Sequence, residues 1–474
     1  MLMHISSLPS RYSIGSLGKN AYRFVDFLKE AGFGYWQVLP LCLTDTYGSP
    51  YKSRASFSLN PWFLDTEKLY NEGLLSKSEL RLAEEKTPYL VEYDRLNNER
   101  IKLLYRAAMR VENREKIADF VNKELHLSQT IRFLALADSF KGIQWRKWNS
   151  SFEPDSDILF FWQFVHYEFL HEWMALKSYA NERGVEIIGD IPMYADYDSA
   201  DVWMSPESFL LDKNRLPYEV AGVPPDYFSA DGQLWGNPLY NWRYMSRSGF
   251  EFWRGKLTFA LKMYDAVRID HFRAFDSYYA IPKGSKDTRA GKWKRGPGRK
   301  FVDELNKWRG EKTVIAEDLG DQTDTVRSLL SYAKIPGMRV VQFGAPCGVN
   351  SVHLPHAWDE NVFAYTGTHD NNTLLGAIYE MNAQDRELLF EYFGIRHNDF
   401  SLAVTDIIQG MLASRARAVI IPVQDLLIFG SDTRMNTPGV AAGNWRYRIT
   451  EDNLSQLLQN SGKWKNINSL YDRQ

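Results

Sequence analysis

Five apolar runs in this sequence end on acids. EIIGD (186–190) ends at Asp190 and AVRID (266–270) at Asp270. VIAED (314–318) ends at Glu317 and Asp318, FAYTGTHD (363–370) at Asp370, and AVIIPVQD (418–425) at Gln424 and Asp425. A ring of acids costs mutual repulsion and desolvation, so five such endings in one chain argue for use. No His or Cys cluster accompanies them at metal-ligand spacing, which points away from metal chemistry. Paired carboxylates without a metal suit glycoside cleavage, where a nucleophilic carboxylate and an acid/base carboxyl stand about 5 Å apart in retaining enzymes. The two groups need different surroundings, one favouring the anion and one the proton.

The residue types assign roles in part. Arg268 lies two residues before Asp270, so on a strand both side chains point the same way. A guanidinium beside a carboxylate favours the anion, which makes Asp270 the candidate charged partner. Glu317 follows Val314, Ile315 and Ala316, an apolar approach that suits a general acid. Spacing leaves open whether Glu317 or Asp318 faces the substrate. Asp370, beside His369, is placed to bind hydroxyls and stabilise positive charge at a reacting carbon.

The elements that must carry these acids follow from the patterning. Together with WQVLPL (36–41) and MRVVQF (338–343), the acid-tipped runs are Val/Ile-rich and almost continuously apolar, as strands of a parallel sheet buried on both faces are. Helical stretches lie between them. Residues 20–32 place Phe24, Val25, Leu28 and Ala31 on one stripe, with Asn20 as the expected N-cap and Gly32 as the C-cap. Residues 161–183 read likewise and close at Gly184. Helix and strand in alternation predict an α/β fold, and an eight-stranded (β/α)8 barrel would gather all the strand ends on one rim. Two stretches break the alternation. Residues 66–150 carry charged amphipathic turns and no strand signal, and read as a helical insertion. Residues 205–255, rich in Pro, Gly, Tyr and Trp, read as an ordered loop insertion over the active site. The whole of 1–474 reads as one catalytic barrel.

Composition excludes some classes. The 474 residues are 44% hydrophobic and 24% charged, with a net charge of −2, so nothing calls for nucleic acid or an anionic membrane. The basic stretch 283–300, with eight Lys or Arg, reads as a solvated loop. No apolar run approaches the roughly 20 residues that span a bilayer. The N-terminus lacks a signal-peptide pattern, and Cys42 and Cys347 read as free thiols of a cytoplasmic protein. Aromatics reach 14%, with 15 Trp and 26 Tyr, which suits a large core and also sugar binding through ring faces.

Ten motifs in order carry a family likeness. They include SLPSRYSIGSLG, WQVLPL, SPYKSRASFSLNP, GDIPMYADYDSADVW, AGVPPDYFSADGQLWGNPLYNW, VRIDHFRAF, AEDLG, PGMRVVQF, YTGTHDNNT and RMNTPGVAAGNW. The chain resembles the amylomaltases, the 4-alpha-glucanotransferases of glycoside hydrolase family 77 in the alpha-amylase clan. The resemblance implies a (β/α)8 TIM barrel with helical and loop insertions between strands. It implies transfer of an alpha-1,4-glucan segment through a covalent glucosyl-enzyme, with maltooligosaccharides as substrates and glucose or another glucan as acceptor. Carboxylates do all the work, so no cofactor is expected; the clan allows a structural calcium, but no ligand run in this sequence demands a metal. Asp270 matches the nucleophile, Glu317 the acid/base and Asp370 the third carboxylate. Tyr51, Asp190, Arg268 and His369 match residues around the sugar at the cleaved bond. Gln233, Trp235 and Asn237 match a loop on the acceptor side, and Asn444 belongs to the closing GNW motif with Trp445. SPYK, RASFSLNP and the TDTYG spacing depart from the commoner family patterns, which bears on outer glucan subsites.

Overall fold

The computed structural model describes residues 1–149, 151–225, 231–320, 323–440 and 442–473. Seven short parallel strands form two sheets. These are β1 (Tyr35–Gln37), β2 (Glu186–Ile191), β3 (Ala266–Ile269), β4 (Val314–Ala316), β5 (Gly337–Val340), β6 (Val362–Tyr365) and β7 (Ala418–Ile420). The order is β1-β2-β3-β4 in one sheet and β5-β6-β7 in the other, with every pairing parallel. The Ala316 N–H donates to Pro336 O at 2.9 Å, joining β4 to β5. On the other side Leu2 bridges both Gln37 and Pro422 in parallel register. Leu2 N–H donates to Ile421 O and Met3 N–H to Gln37 O, so residues 1–3 fill the eighth position and close the barrel. Closure leaves no open edge, and the strands are buried on both faces, β3, β4 and β6 wholly so.

All seven apolar runs become strands; six are shorter than their runs, while β2 continues one residue past EIIGD to Ile191. The end of MRVVQF turns into a 3-10 helix at Val341–Phe343, and the end of AVIIPVQD into a helix at Val423–Leu426. The wrapping helices include Lys19–Ala31, Ser156–Glu182, Glu251–Met263, Arg299–Arg309, Asp324–Ala333 and Phe400–Leu412. Between β5 and β6 the described residues contain 3-10 turns and no α-helix, so one unit of the (β/α)8 scheme is reduced. The helix at 19–31 buries the expected stripe and ends at Gly32 with φ +73°. Its N-cap is Gly18, not Asn20. The Asn20 amide is drawn instead to Pro9 O and Glu451, a tertiary preference that overrides local capping. Asp155 caps Ser156–Glu182 by accepting from the N–H groups of Asp157 and Ile158.

Residues 66–149 fold into helices, among them Thr66–Asn71, Ile101–Met109, Arg114–Asn122 and Leu125–Ser139, with no strand. Residues 205–255 differ from the expected loop. Glu219–Val223 and Gln233–Pro238 pair antiparallel, and Ser277–Pro282 and Lys292–Arg295 extend them to a four-stranded sheet. The last of these strands also gives regular structure to part of the basic stretch 283–300. Residues 226–230 of the DYFSA stretch, Ser150 at the end of the helical insertion, and Ala441 of the RMNTPGVAAGNW motif lie outside the described residues. Cys42 and Cys347 are both free. No described helix is long and apolar enough to cross a membrane.

Candidate active site

The strand pairing explains the centre of the site. Asp190 on β2 is directly opposite Arg268 on β3, and Asp270 follows two residues later on the same side. Arg268 therefore reaches both acids. Its Nη1 donates to Asp190 Oδ1 and Oδ2 at 2.9 and 2.7 Å, and its Nη2 donates to Asp270 Oδ1 at 3.0 Å. The sequence foresaw the Asp270 contact and missed that Asp190 takes the bidentate share. The Arg268 and Asp190 side chains are 4% and 0% exposed, whereas Asp270 keeps 30%. The ion pair is thus a sealed base, and the acid above it opens to the cup. Tyr51 adds a third hold on Asp190, donating its hydroxyl to Oδ2 at 2.7 Å.

Glu317 follows β4, next to Asp270 on the rim. Its backbone N–H donates to Ile269 O, and its carbonyl accepts from Phe272 N–H. Its carboxylate accepts from two backbone groups, His271 N–H at 2.8 Å and Leu319 N–H at 2.7 Å. His271 has φ +43°, a bend that aims its N–H at Glu317. Burial raises Glu317 to about 7; Arg268 opposes this and the neighbouring Asp270 reinforces it. The choice between Glu317 and Asp318 is resolved by direction. Asp318 turns to β5, where it accepts from Met338 N–H at 2.6 Å and Arg339 at 3.0 Å. It lies so close to Gly337 that a Cβ there would stand 2.5 Å from Oδ2.

Asp370 follows β6 in the turn after Tyr365. Its Oδ2 is 3.3 Å from His369 Nε2, and its Oδ1 accepts from Asn436 Nδ2 at 2.6 Å. Desolvation works against its ionisation although the side chain keeps 43% of its exposure, and His369 and Asn436 outweigh that cost and hold it down at about 2. Arg434 donates to Asp370 O at 2.6 Å, and Asn436 N–H to His369 O at 3.0 Å, so the 434–445 loop clasps the turn. Asn436 escaped the sequence reading because nothing in RMNTPG marks one amide as a partner for a carboxylate 66 positions earlier. The Tyr51 ring stacks on His369 with centroids 5.0 Å apart at 14°, and Trp445 lies 5.9 Å from Tyr51 and 5.7 Å from His369. Trp445 rather than Asn444 is the member of the GNW motif brought to this cluster. The Asn444 amide bonds Thr437 and Val440 backbone groups and stitches its own loop.

Gln233, Trp235 and Asn237 alternate on the strand Gln233–Pro238 and so share a face. Trp235 meets His271 edge-on at 5.0 Å and donates its indole N–H to Gln233 at 3.0 Å. Asn237 donates to Ala195 O at 3.0 Å, tying this strand to the segment after β2. The fifth acid-tipped run belongs to the scaffold. Asp425 is 1% exposed and accepts from Thr366 Oγ1 at 2.5 Å and Leu374 N–H at 2.7 Å. Among the described residues no group of three or more His, Cys, Asp or Glu could hold a metal ion.

The family model Glyco_hydro_77, described as 4-alpha-glucanotransferase, matches residues 3–454. A 4-alpha-glucanotransferase of Clostridium butyricum is 38% identical over 481 residues, covering 97% of each chain. One from Aquifex aeolicus is 40% identical over 470 residues, covering 95% of each. The solved amylomaltase of Streptococcus agalactiae in complex with acarbose superposes with a TM-score of 0.94 at 33% identity, covering 100% of this chain and 99% of that one. With its barrel and its acids in the matched span, this chain belongs to glycoside hydrolase family 77 and is a 4-alpha-glucanotransferase acting on alpha-glucans.

Proposed function

We propose that the protein transfers alpha-1,4-glucan segments by a retaining double displacement, with Asp270 as nucleophile, Glu317 as acid/base and Asp370 as the carboxylate that grips the reacting sugar. The observation that carries this reading is the contrast on adjacent strand ends. Asp270 is bonded to Arg268 and open to the cup, while burial pushes Glu317 up to about 7 beside it. In the first step Glu317 gives its proton to the glycosidic oxygen as the bond from that oxygen to the anomeric carbon breaks. Asp270 Oδ2 closes the bond to that carbon, forming a glucosyl ester, and the reducing-end fragment leaves with its 4-hydroxyl restored. In the second step the 4-hydroxyl of glucose or another glucan loses its proton to Glu317 as its oxygen displaces Asp270. The inverted ester is inverted again, so the alpha configuration is kept.

Arg268 and Asp190 hold the nucleophile in place. Asp370, with His369 and Asn436, is suited to accept sugar hydroxyls and to stabilise positive charge on the ring. Tyr51 and Trp445 offer aromatic surface to the same sugar. Gln233, Trp235 and Asn237, within 205–255, stand on the acceptor side, where a bound sugar would exclude water from the ester. Residues 66–150 act as a helical insertion of this one catalytic barrel. Acarbose in the Streptococcus agalactiae amylomaltase supports an oligosaccharide as the occupant of the cup. Carboxylates alone supply the covalent bond and the proton, so the step needs no cofactor.

Purified protein given maltotriose is expected to yield glucose and longer maltooligosaccharides with little gain in total reducing ends. A steady rise in reducing ends would instead assign an alpha-amylase-type hydrolase.

A further inference from the structure

Tyr93 belongs to the helical insertion and lies outside the acid cluster, yet it touches both aromatic loops of the cup. Its hydroxyl donates to Trp445 O at 2.7 Å, and its ring is buried, 5.6 Å from Trp62. Trp445 has φ +65°, a left-handed conformation that a bulky residue adopts only when its surroundings hold it. Two bonds do so, one from Trp445 N–H to Met435 O at 2.7 Å and one from Tyr93 to its carbonyl. The other contact is Gly48, with φ +88°, three residues before Tyr51. A Cβ at Gly48 would stand 2.0 Å from Cζ of Tyr93, so the ring rests on the backbone of the loop that carries Tyr51. Around this point Val91 N–H donates to Arg446 O and Arg448 N–H to Tyr89 O, which fastens the insertion to the chain just after Trp445.

We propose that Tyr93 is a positioning residue: it sets Tyr51 and Trp445 against His369, and through them it controls how well the glucosyl-enzyme is shielded from water. The inference rests on the function proposed above. In it the helical insertion tunes the choice between transfer and hydrolysis, even though it supplies no acid. Removal of the Tyr93 hydroxyl frees the strained Trp445 carbonyl while leaving ring packing intact. A Cβ at Gly48 disturbs the same contact from the opposite side.

The test uses the full chain with maltotriose and measures kcat, KM, the split between transferred and hydrolysed product, and Tm. Tyr93→Phe is expected to lower kcat/KM about five- to tenfold, as expected for loss of one net hydrogen bond, and to raise the hydrolysed share several-fold. Gly48→Ala is expected to shift the split in the same direction. Tyr447→Phe is the control, since the buried Tyr447 hydroxyl has no hydrogen-bond partner among the described residues; its split stays at the wild-type value. A wild-type split in both Tyr93→Phe and Gly48→Ala, whatever their Tm, would overturn the inference and leave Tyr93 as packing only. Absence of transfer in the wild-type protein would count against the function itself and not against Tyr93.

Discussion

Glu317 and Asp370 stand two strands apart on the same rim, and their surroundings pull their protons in opposite directions. Both lose part of their water in the cup, which disfavours charge. Among the described residues Glu317 accepts from two neutral backbone N–H groups, which do not offset its burial, and it rises to about 7. Asp370 meets an imidazole and a side-chain amide, which outweigh its burial, and it falls to about 2. Partners supplied by neighbouring loops thus give the same residue class on the same rim two opposite proton affinities, which suit the two roles proposed for them. A proton donor and a permanent anion are what cleavage and charge stabilisation require.

The comparison can be broken first at Glu317. Glu317→Gln should lower turnover of maltotriose by about 10²–10⁴-fold, the usual worth of a general acid. A glucosyl donor with a good leaving group, measured in the same assay, should recover much of the first step. The wild-type rate should fall as pH rises through about 7, because the donor form is lost, and the variant should lack that limb. Full activity of Glu317→Gln on maltotriose would remove Glu317 from the mechanism.

A smaller effect is expected at Asn436. A hydrogen bond to a charged group is worth about 1.5–3 kcal/mol, so Asn436→Ala should reduce kcat/KM about ten- to hundredfold. The lost bond also raises Asp370, so the acid limb of the pH profile should move up while the alkaline limb stays with Glu317. A shift of the alkaline limb instead would show that the two acids are not separately tuned.

The smallest effect concerns stability. Glu317 is raised in the fold relative to the unfolded chain, so the folded state binds the extra proton and stability falls as pH climbs from about 4.5 to about 7. Glu317→Gln removes that penalty. Its Tm should exceed the wild-type value by a few degrees above pH 7 and match it near pH 4. Equal Tm values at pH 8 would mean that the burial of Glu317 carries no such cost.

How much of this was legible in the sequence depends on the range of the forces involved. Strand runs, the Arg268–Asp270 pair and the Gly32 stop are local patterns, and each is found where spacing placed it. The eighth barrel position escaped notice because residues 1–3 are too few for a periodic signal. The antiparallel sheet over the cup escaped because Gly and Pro interrupt its alternation, although QLWGNP does alternate. Asp318 and Asp425 ended apolar runs just as Glu317 did. Only their partners, Met338 and Arg339 for one, Thr366 and Leu374 for the other, mark them as scaffold. Asn436, Trp445 and Tyr93 find their partners in distant segments, which no spacing rule exposes.

The most direct test is to trap the covalent intermediate. The protein is incubated with a fluorinated alpha-glucosyl fluoride that forms the ester quickly and releases it slowly, then digested and read by mass spectrometry. The glucosyl label is expected on Asp270, and Asp270→Asn should take up none. Label on a different carboxylate, or turnover with inverted configuration and no label, would contradict the account.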